Sequence, residues 1–340
     1  MRTTLLAAAL ILVGCPIGQC LASSIDLKPL KVVGKFEGKK GKAAVDISGV
    51  SCLAPQDGKR TCLLVNDENK NAQFATLDDN KGELTVGDTV TLIGKDPSPD
   101  TLGRAPDVNC KGGNDGFKDL DGEGVAYADP YFYVIGSHGC SRKQDEFRLS
   151  SFILARVGSA SAHTVTATYR VSDLLAKSDE VKSFFGKDLE TGNGLNIEGV
   201  AATGDTLWVG LRAPVTGDAY LVSGSISELF RYGHDPAVTA AHTVGIKLDE
   251  RGIRDLAVLP DGRLLVLAGP AQDADQSFKL YVADPAKGTK EELGTLQGIE
   301  DGKAEGLTVL DVSGNKAKIL VVFDGLKNGD PRIGEVELPH

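Results

Sequence analysis

Five short segments of the chain set a polar or charged residue beside a small one in a shared pattern. They are Ile47-Ser48-Gly49-Val50, Gly122-Glu123-Gly124-Val125, Ile197-Glu198-Gly199-Val200, Ile253-Arg254-Asp255-Leu256 and Ala304-Glu305-Gly306-Leu307. Carboxylates are hard oxygen donors for an ion such as Ca2+, and a guanidinium is a planar fork for phosphate or carboxylate. The residue types therefore suggest Asp121, Asp255 and Glu305 as metal ligands and Arg212 and Arg254 as contacts to an anionic substrate. Glu123, Glu198 and His138 are the groups suited to acid–base work. Arg254 stands where the other segments carry an acid or Ser48, and Arg212 and His138 have no counterparts in the other repeats. A plainer reading stands beside this one. Each recurring glutamate would accept backbone N–H groups from a neighbouring repeat, His138 would be satisfied at a turn, and the arginines would neutralise the glutamates.

Other chemistry is excluded by motif. Asp119-Leu120-Asp121-Gly122-Glu123-Gly124 opens like a calcium loop, but its twelfth position is Pro130 instead of glutamate, which rejects an EF-hand. The chain has no G-x-S-x-G, H-E-x-x-H, dinucleotide fingerprint or Walker A sequence, so no nucleotide cofactor is expected. His163, His234, His242 and His340 are scattered and suggest no metal cluster.

The elements that must position these residues follow from the repeat. Its apolar positions, Val50, Val125, Val200, Leu256 and Leu307, are separated by 75, 75, 56 and 51 residues. With insertions allowed for, that is near the roughly 40 to 50 residues of a propeller blade. A turn and a second strand follow each segment, at 61–65, 131–135, 206–211, 263–268 and 318–323, and most units add two more strands. The expected fold is an all-β propeller of five blades, or six if a degenerate blade lies within an insertion. The last unit has three strands, and an orphan strand at 30–36 is available to complete it and close the ring. Residues 95–118 read as a loop insertion. Residues 172–186 read as a helix capped by Ser172 that would serve as a lid or cover. Because the first two strands of a blade form a hairpin, the starts of the first and the ends of the second share one face. The rule pools Ser48, Glu123, Glu198, Arg254, Asp255 and Glu305 with Asp67, His138, Arg212 and Asp324 at one mouth of the channel.

Composition narrows the setting. The 340 residues carry a formal charge of −10, which opposes binding to phosphate backbones and makes nucleic acid an unsuitable partner. Glycine is abundant, at 41 residues, as a fold rich in tight turns requires. Met1-Arg2 and the apolar run to Val13 form an export leader, and nothing after Ser23 is long and apolar enough to span a membrane. Cleavage after Ala22 gives a periplasmic or secreted protein, a single domain over 23–340 after a leader of 1–22. Lipidation at Cys15 is the alternative, through Leu12-Val13-Gly14-Cys15. In an oxidising compartment the remaining cysteines, Cys52, Cys62, Cys110 and Cys140, read as two disulfides. Cys52 and Cys62 flank the turn Pro55-Gln56-Asp57-Gly58-Lys59, which leaves Cys110 with Cys140.

Three blade starts carry a resemblance: Asp121-Gly-Glu-Gly-Val-Ala with Gly136-Ser-His-Gly139, Asn196-Ile-Glu-Gly-Val-Ala with Gly210-Leu-Arg-Ala-Pro214, and Gly252-Ile-Arg-Asp-Leu-Ala with Leu267-Ala-Gly-Pro270. From about Asp46 to the C-terminus the chain resembles a bacterial family catalogued as a domain of unknown function, number 3616. The Glu-Gly-Val/Leu starts more loosely resemble secreted phytase-like esterase propellers, whose relatives use calcium to hydrolyse phosphoesters. The resemblances imply a propeller and an exported compartment and permit a phosphoesterase. Two functions of different class are therefore expected. One is a calcium-assisted hydrolase of a phosphorylated or otherwise anionic small substrate. The other is a non-catalytic periplasmic propeller that binds a ligand or a protein partner.

Overall fold

The protein was analysed as a computed structural model, which describes residues 23–108, 110, 117–140, 147–160, 162–235, 237–272, 276–298 and 301–339. The export leader and His340 lie outside the described residues. Short strands, each bounded by a turn, pair in sequence order into five sheets. Their innermost strands are Ile47–Cys52, Gly122–Ala128, Asn196–Thr203, Arg251–Val258 and Lys303–Ser313. These five touch one another in a closed cycle, so the sheets are the blades of a five-bladed propeller. Apolar clusters fill the wedges between successive blades, as between the second and third and between the fourth and fifth.

The N-terminal segment closes the ring by touching three blades. Ser24–Ile25 runs parallel to Thr289–Leu296 of the fourth blade. Lys28–Pro29 pairs antiparallel with Arg332–Glu337 and completes the last blade. Lys31–Val33 then pairs parallel with Glu83–Thr91 of the first blade. Closure thus uses residues 28–29, just upstream of the expected 30–36, whose central part belongs to the first blade. Two residues satisfy the edge of the last blade, and the chain then crosses to the next free edge. Buried Arg60 reinforces this joint by bonding Asp79 (2.7 Å), the Leu310 carbonyl (2.8 Å) and Asp311 (2.5 Å) of the fifth blade.

Both expected disulfides are present, Cys52–Cys62 across the first hairpin and Cys110–Cys140. The insertion at 172–186 is helical only at Arg170–Ala176 and Lys182–Phe184, and Ser172 lies inside the first helix instead of capping it. Val171, Leu174, Leu175 and Val181 are buried between the second and third blades, so the helix is a wedge filler instead of a lid. Apolar side chains on one face of a short helix bury most area where two sheets diverge. Along the channel, beginning at the apolar positions of the repeat motifs, the inner strands line a cavity of about 110 Å3 walled by small and apolar residues such as Val125, Ala201 and Leu256.

Candidate functional site at the channel mouth

Each inner strand carries a β-bulge at the same place. The register slips between Ile47 and Gly49, Gly122 and Gly124, Ile197 and Gly199, Ile253 and Asp255, and Ala304 and Gly306. The unpaired residues are Ser48, Glu123, Glu198, Arg254 and Glu305. A bulge releases one residue from the ladder and re-aims its side chain, and five of them set these residues at one mouth of the channel. The residue after each bulge is held by close approach between blades. A Cβ on Gly49 would lie 2.8 Å from the backbone of Gly124, and one on Gly124 would lie 2.9 Å from the Glu198 carbonyl. Glycine at this position is architectural.

The fourth blade has Asp255 in that column. Its carboxylate accepts from the amides of Leu256 (2.8 Å), Leu307 (2.6 Å) and, at 3.5 Å, Val200. It therefore laces the third, fourth and fifth blades together. Burial pushes its pKa well up, against the pull of these three donors. The role of accepting amides from neighbouring blades, suggested for the three glutamates, belongs to this one aspartate.

Glu198 and Glu305 are instead paired with arginines. Arg212 reaches Glu198 Oε1 at 2.9 Å and donates through Nε to the Ala271 carbonyl at 2.8 Å. Arg254 lies 2.7 Å from Glu198 Oε2 and bonds Glu305, so one fully buried guanidinium joins three blades. Burial works against its charge, but Glu198 and Glu305 outweigh burial and raise its pKa. Both guanidinium groups are occupied, and neither presents a free fork to an anion.

The other side of the mouth is acidic. Asp46 and Asp67 come from the first blade, Asp121 and Glu123 from the second, and Glu305 and Asp324 from the fifth. Burial and then the carboxylates of Asp121, Asp46, Glu305 and Asp324 push Asp67 up to about 8. Burial, Asp121 and Glu198 raise Glu123 well above the ordinary range, although its side chain keeps partial contact with solvent. Glu305 is pushed up to about 7 by burial, with Arg254 opposing the shift, and Asp46 to about 6 by burial and Asp324. Asp121 accepts the Ser137 hydroxyl. Asp67 and Asp324 were expected at this mouth but given no role there, and Asp46 was not expected at all. The ends of the second strands placed Asp67 and Asp324 on the converging face, whereas Asp46 precedes a first strand and carried no such signal.

His138 sits in left-handed backbone, φ 52°, at the top of the second blade. Its ring is fully buried 5.7 Å from that of Phe152, and Nδ1 pairs with the Gly136 carbonyl at 2.8 Å. Burial lowers its pKa to about 4, so it is neutral under ordinary conditions. The structure makes it a packed core residue apart from the solvent-facing acids.

The metal ligands suggested by composition do not form a set. Asp255 spends its oxygens on amides, Glu305 on Arg254 and Asp121 on Ser137. Among the described residues no three His, Cys, Asp or Glu side chains converge as a metal site, and the calcium reading does not fit the residues as placed.

Comparisons with known proteins add the family. A family described as "Protein of unknown function (DUF3616)" matches residues 113–152 and 153–333. Among curated proteins none matches the sequence. The chain is similar to hydrazine synthase from Kuenenia stuttgartiensis at 12% identity and a TM-score of 0.39, over 85% of this chain and 60% of that one. It is similar to an exo-β-1,3-galactanase from Clostridium thermocellum at 10% identity and a TM-score of 0.48, over 92% and 63%. The catalytic domain of a GH62 α-L-arabinofuranosidase from Coprinopsis cinerea is similar at 12% identity and a TM-score of 0.48, over 93% and 96%. The chain spans less than two thirds of the first two.

Proposed function

The chain belongs to the DUF3616 family, and we propose that it is an exported propeller that hydrolyses a small anionic substrate at the acidic side of its channel mouth. The observation that supports this is the pair of acids whose protons are held near neutral pH, Asp67 and the partly exposed Glu123. Neighbouring acids with pKa values pushed apart are the basis of acid–base catalysis by carboxylates. In this reading a protonated Asp67 or Glu123 gives its proton to the leaving oxygen, while an ionised neighbour takes one from the attacking water. Protonation also lowers the repulsion that an anionic substrate would meet. The paired Arg212, Glu198, Arg254 and Glu305 form the fixed floor beneath, and no step is assigned to calcium.

A panel of phosphoesters and carboxylic esters, assayed from pH 5 to 9 with Ca2+ or with chelator, tests the reading. Activity is expected to fall as pH rises past about 8, where Asp67 ionises, and to survive chelation. Loss on chelation would restore the calcium-assisted form. No turnover by any ester, together with a melting temperature raised by a small ligand, would establish the non-catalytic binding propeller instead. That second reading draws on the arginines, whose bonding capacity is committed within the protein.

A further inference from the structure

Away from the channel, a cavity of about 300 Å3 lies between the outer edges of the first and second blades. Such a volume meets the lower bound, about 300 Å3, of pockets that take small molecules. Its apolar walls are Leu92 and Ile93, which follow the outer strand of the first blade, and the buried ring of Phe117. The opposite wall is Val165–Thr168, the edge strand of the second blade. In the antiparallel register of this strand, the Thr164 carbonyl points inward to Gly158, whereas that of Ala167 points outward and accepts from Leu102 at 2.9 Å. By alternation the amide and carbonyl of Val165 also point outward, toward the cavity.

The rim is polar and anionic. Asp100 and Ser98 line it on a turn fixed by Asp100 N donating to Ser98 Oγ (3.2 Å) and Thr101 N to the Ser98 carbonyl (3.1 Å). None of the described residues lining the cavity is cationic. The neighbouring Lys70 is outside the residues that line the cavity and directs one ammonium N–H to the Gly94 carbonyl at 2.9 Å. We propose that this wedge is a second ligand site, separate from the channel mouth, that takes a flat apolar ring bearing a protonated amine. The ring would lie against Phe117, Leu92 and Ile93, and the ammonium would meet the Asp100 carboxylate.

Three indoles of one shape and different charge test this by calorimetry on the full chain: tryptamine, tryptophol and indole-3-acetate. Tryptamine is expected to bind tightest and indole-3-acetate weakest. Asp100→Asn should weaken tryptamine about fivefold, the range of an exposed ion pair, and leave tryptophol unchanged. Phe117→Ala should weaken all three ligands. Ser98→Trp, at an exposed position and so sparing the fold, should fill the rim and block them. The proposal is overturned if none of the three saturates, if indole-3-acetate equals tryptamine, or if Asp100→Asn leaves the affinity for tryptamine unchanged. It is also overturned if Glu123→Gln at the mouth abolishes the binding.

Discussion

The two sides of the channel mouth are built from the same repeat and solve the burial of charge in opposite ways. On the side of the third and fourth blades, Glu198, Arg212 and Arg254 each face an opposite charge within 2.9 Å. Arg254 extends this pairing to Glu305 of the fifth blade. On the side of the first, second and fifth blades, acids face acids, and the repulsion is relieved by holding protons. Five equivalent bulges supply equivalent positions, and only the residue type decides whether a position becomes a locked floor or a titrating wall. Paired buried charges tend to fix geometry, whereas like charges sharing a site shift pKa values and keep reactivity.

The largest effect is expected where the pairing is broken. Arg254→Ala strands Glu198 and Glu305 in the interior and should cost about 3–5 kcal/mol in urea unfolding. A loss below about 1 kcal/mol would mean that the arginine side is not held by its ion pairs. Asp255→Asn keeps the shape but replaces one acceptor by a donor opposite a buried amide. It should cost about 1–3 kcal/mol, and an unchanged midpoint would remove the lacing role given to this aspartate.

The acidic side predicts a pH slope. Folding raises the pKa of Asp67 from 3.8 to about 8, of Glu305 from 4.5 to about 7 and of Asp46 from 3.8 to about 6. The folded protein therefore binds more protons than the unfolded chain between about pH 4 and 8. The stability contributed by these groups is fully present below their unfolded values and is lost as pH rises through the folded ones. Thermal melts should drop across that interval. Asp67→Asn should flatten the drop and raise the melting temperature at pH 8, and a variant as steep as the wild type would show that Asp67 does not carry the titration. The smallest effect on stability is expected at Glu123, whose side chain is partly exposed. Glu123→Gln should change stability by no more than about 0.5 kcal/mol. With Glu123 as the proton donor it should nevertheless abolish turnover, and full activity in this variant would assign the proton transfer to Asp67.

The propeller was legible because blade structure is local. Each hairpin needs only an apolar alternation and a turn, and the recurrence of a pattern related to Ile197-Glu-Gly-Val at blade spacing set five inner strands at the observed places. Cys52 and Cys62 were readable for the same reason, since a single turn separates them. Convergence of Glu123, Glu198, Arg254 and Glu305 followed from hairpin geometry, which the repeat register alone dictates. What the sequence could not express was pairing across blades. That Arg254 would fork two glutamates from the third and fifth blades depends on side chains separated by more than 50 residues meeting at one axis. The same holds for Asp255 taking the amides of Val200 and Leu307, and for the N-terminal segment dividing itself among three blade edges. Burial decided the rest: His138 looks like an acid–base group in one dimension and is a neutral core ring in three. Charge state and partner are properties of the surroundings, and in this fold the surroundings are assembled from all five blades.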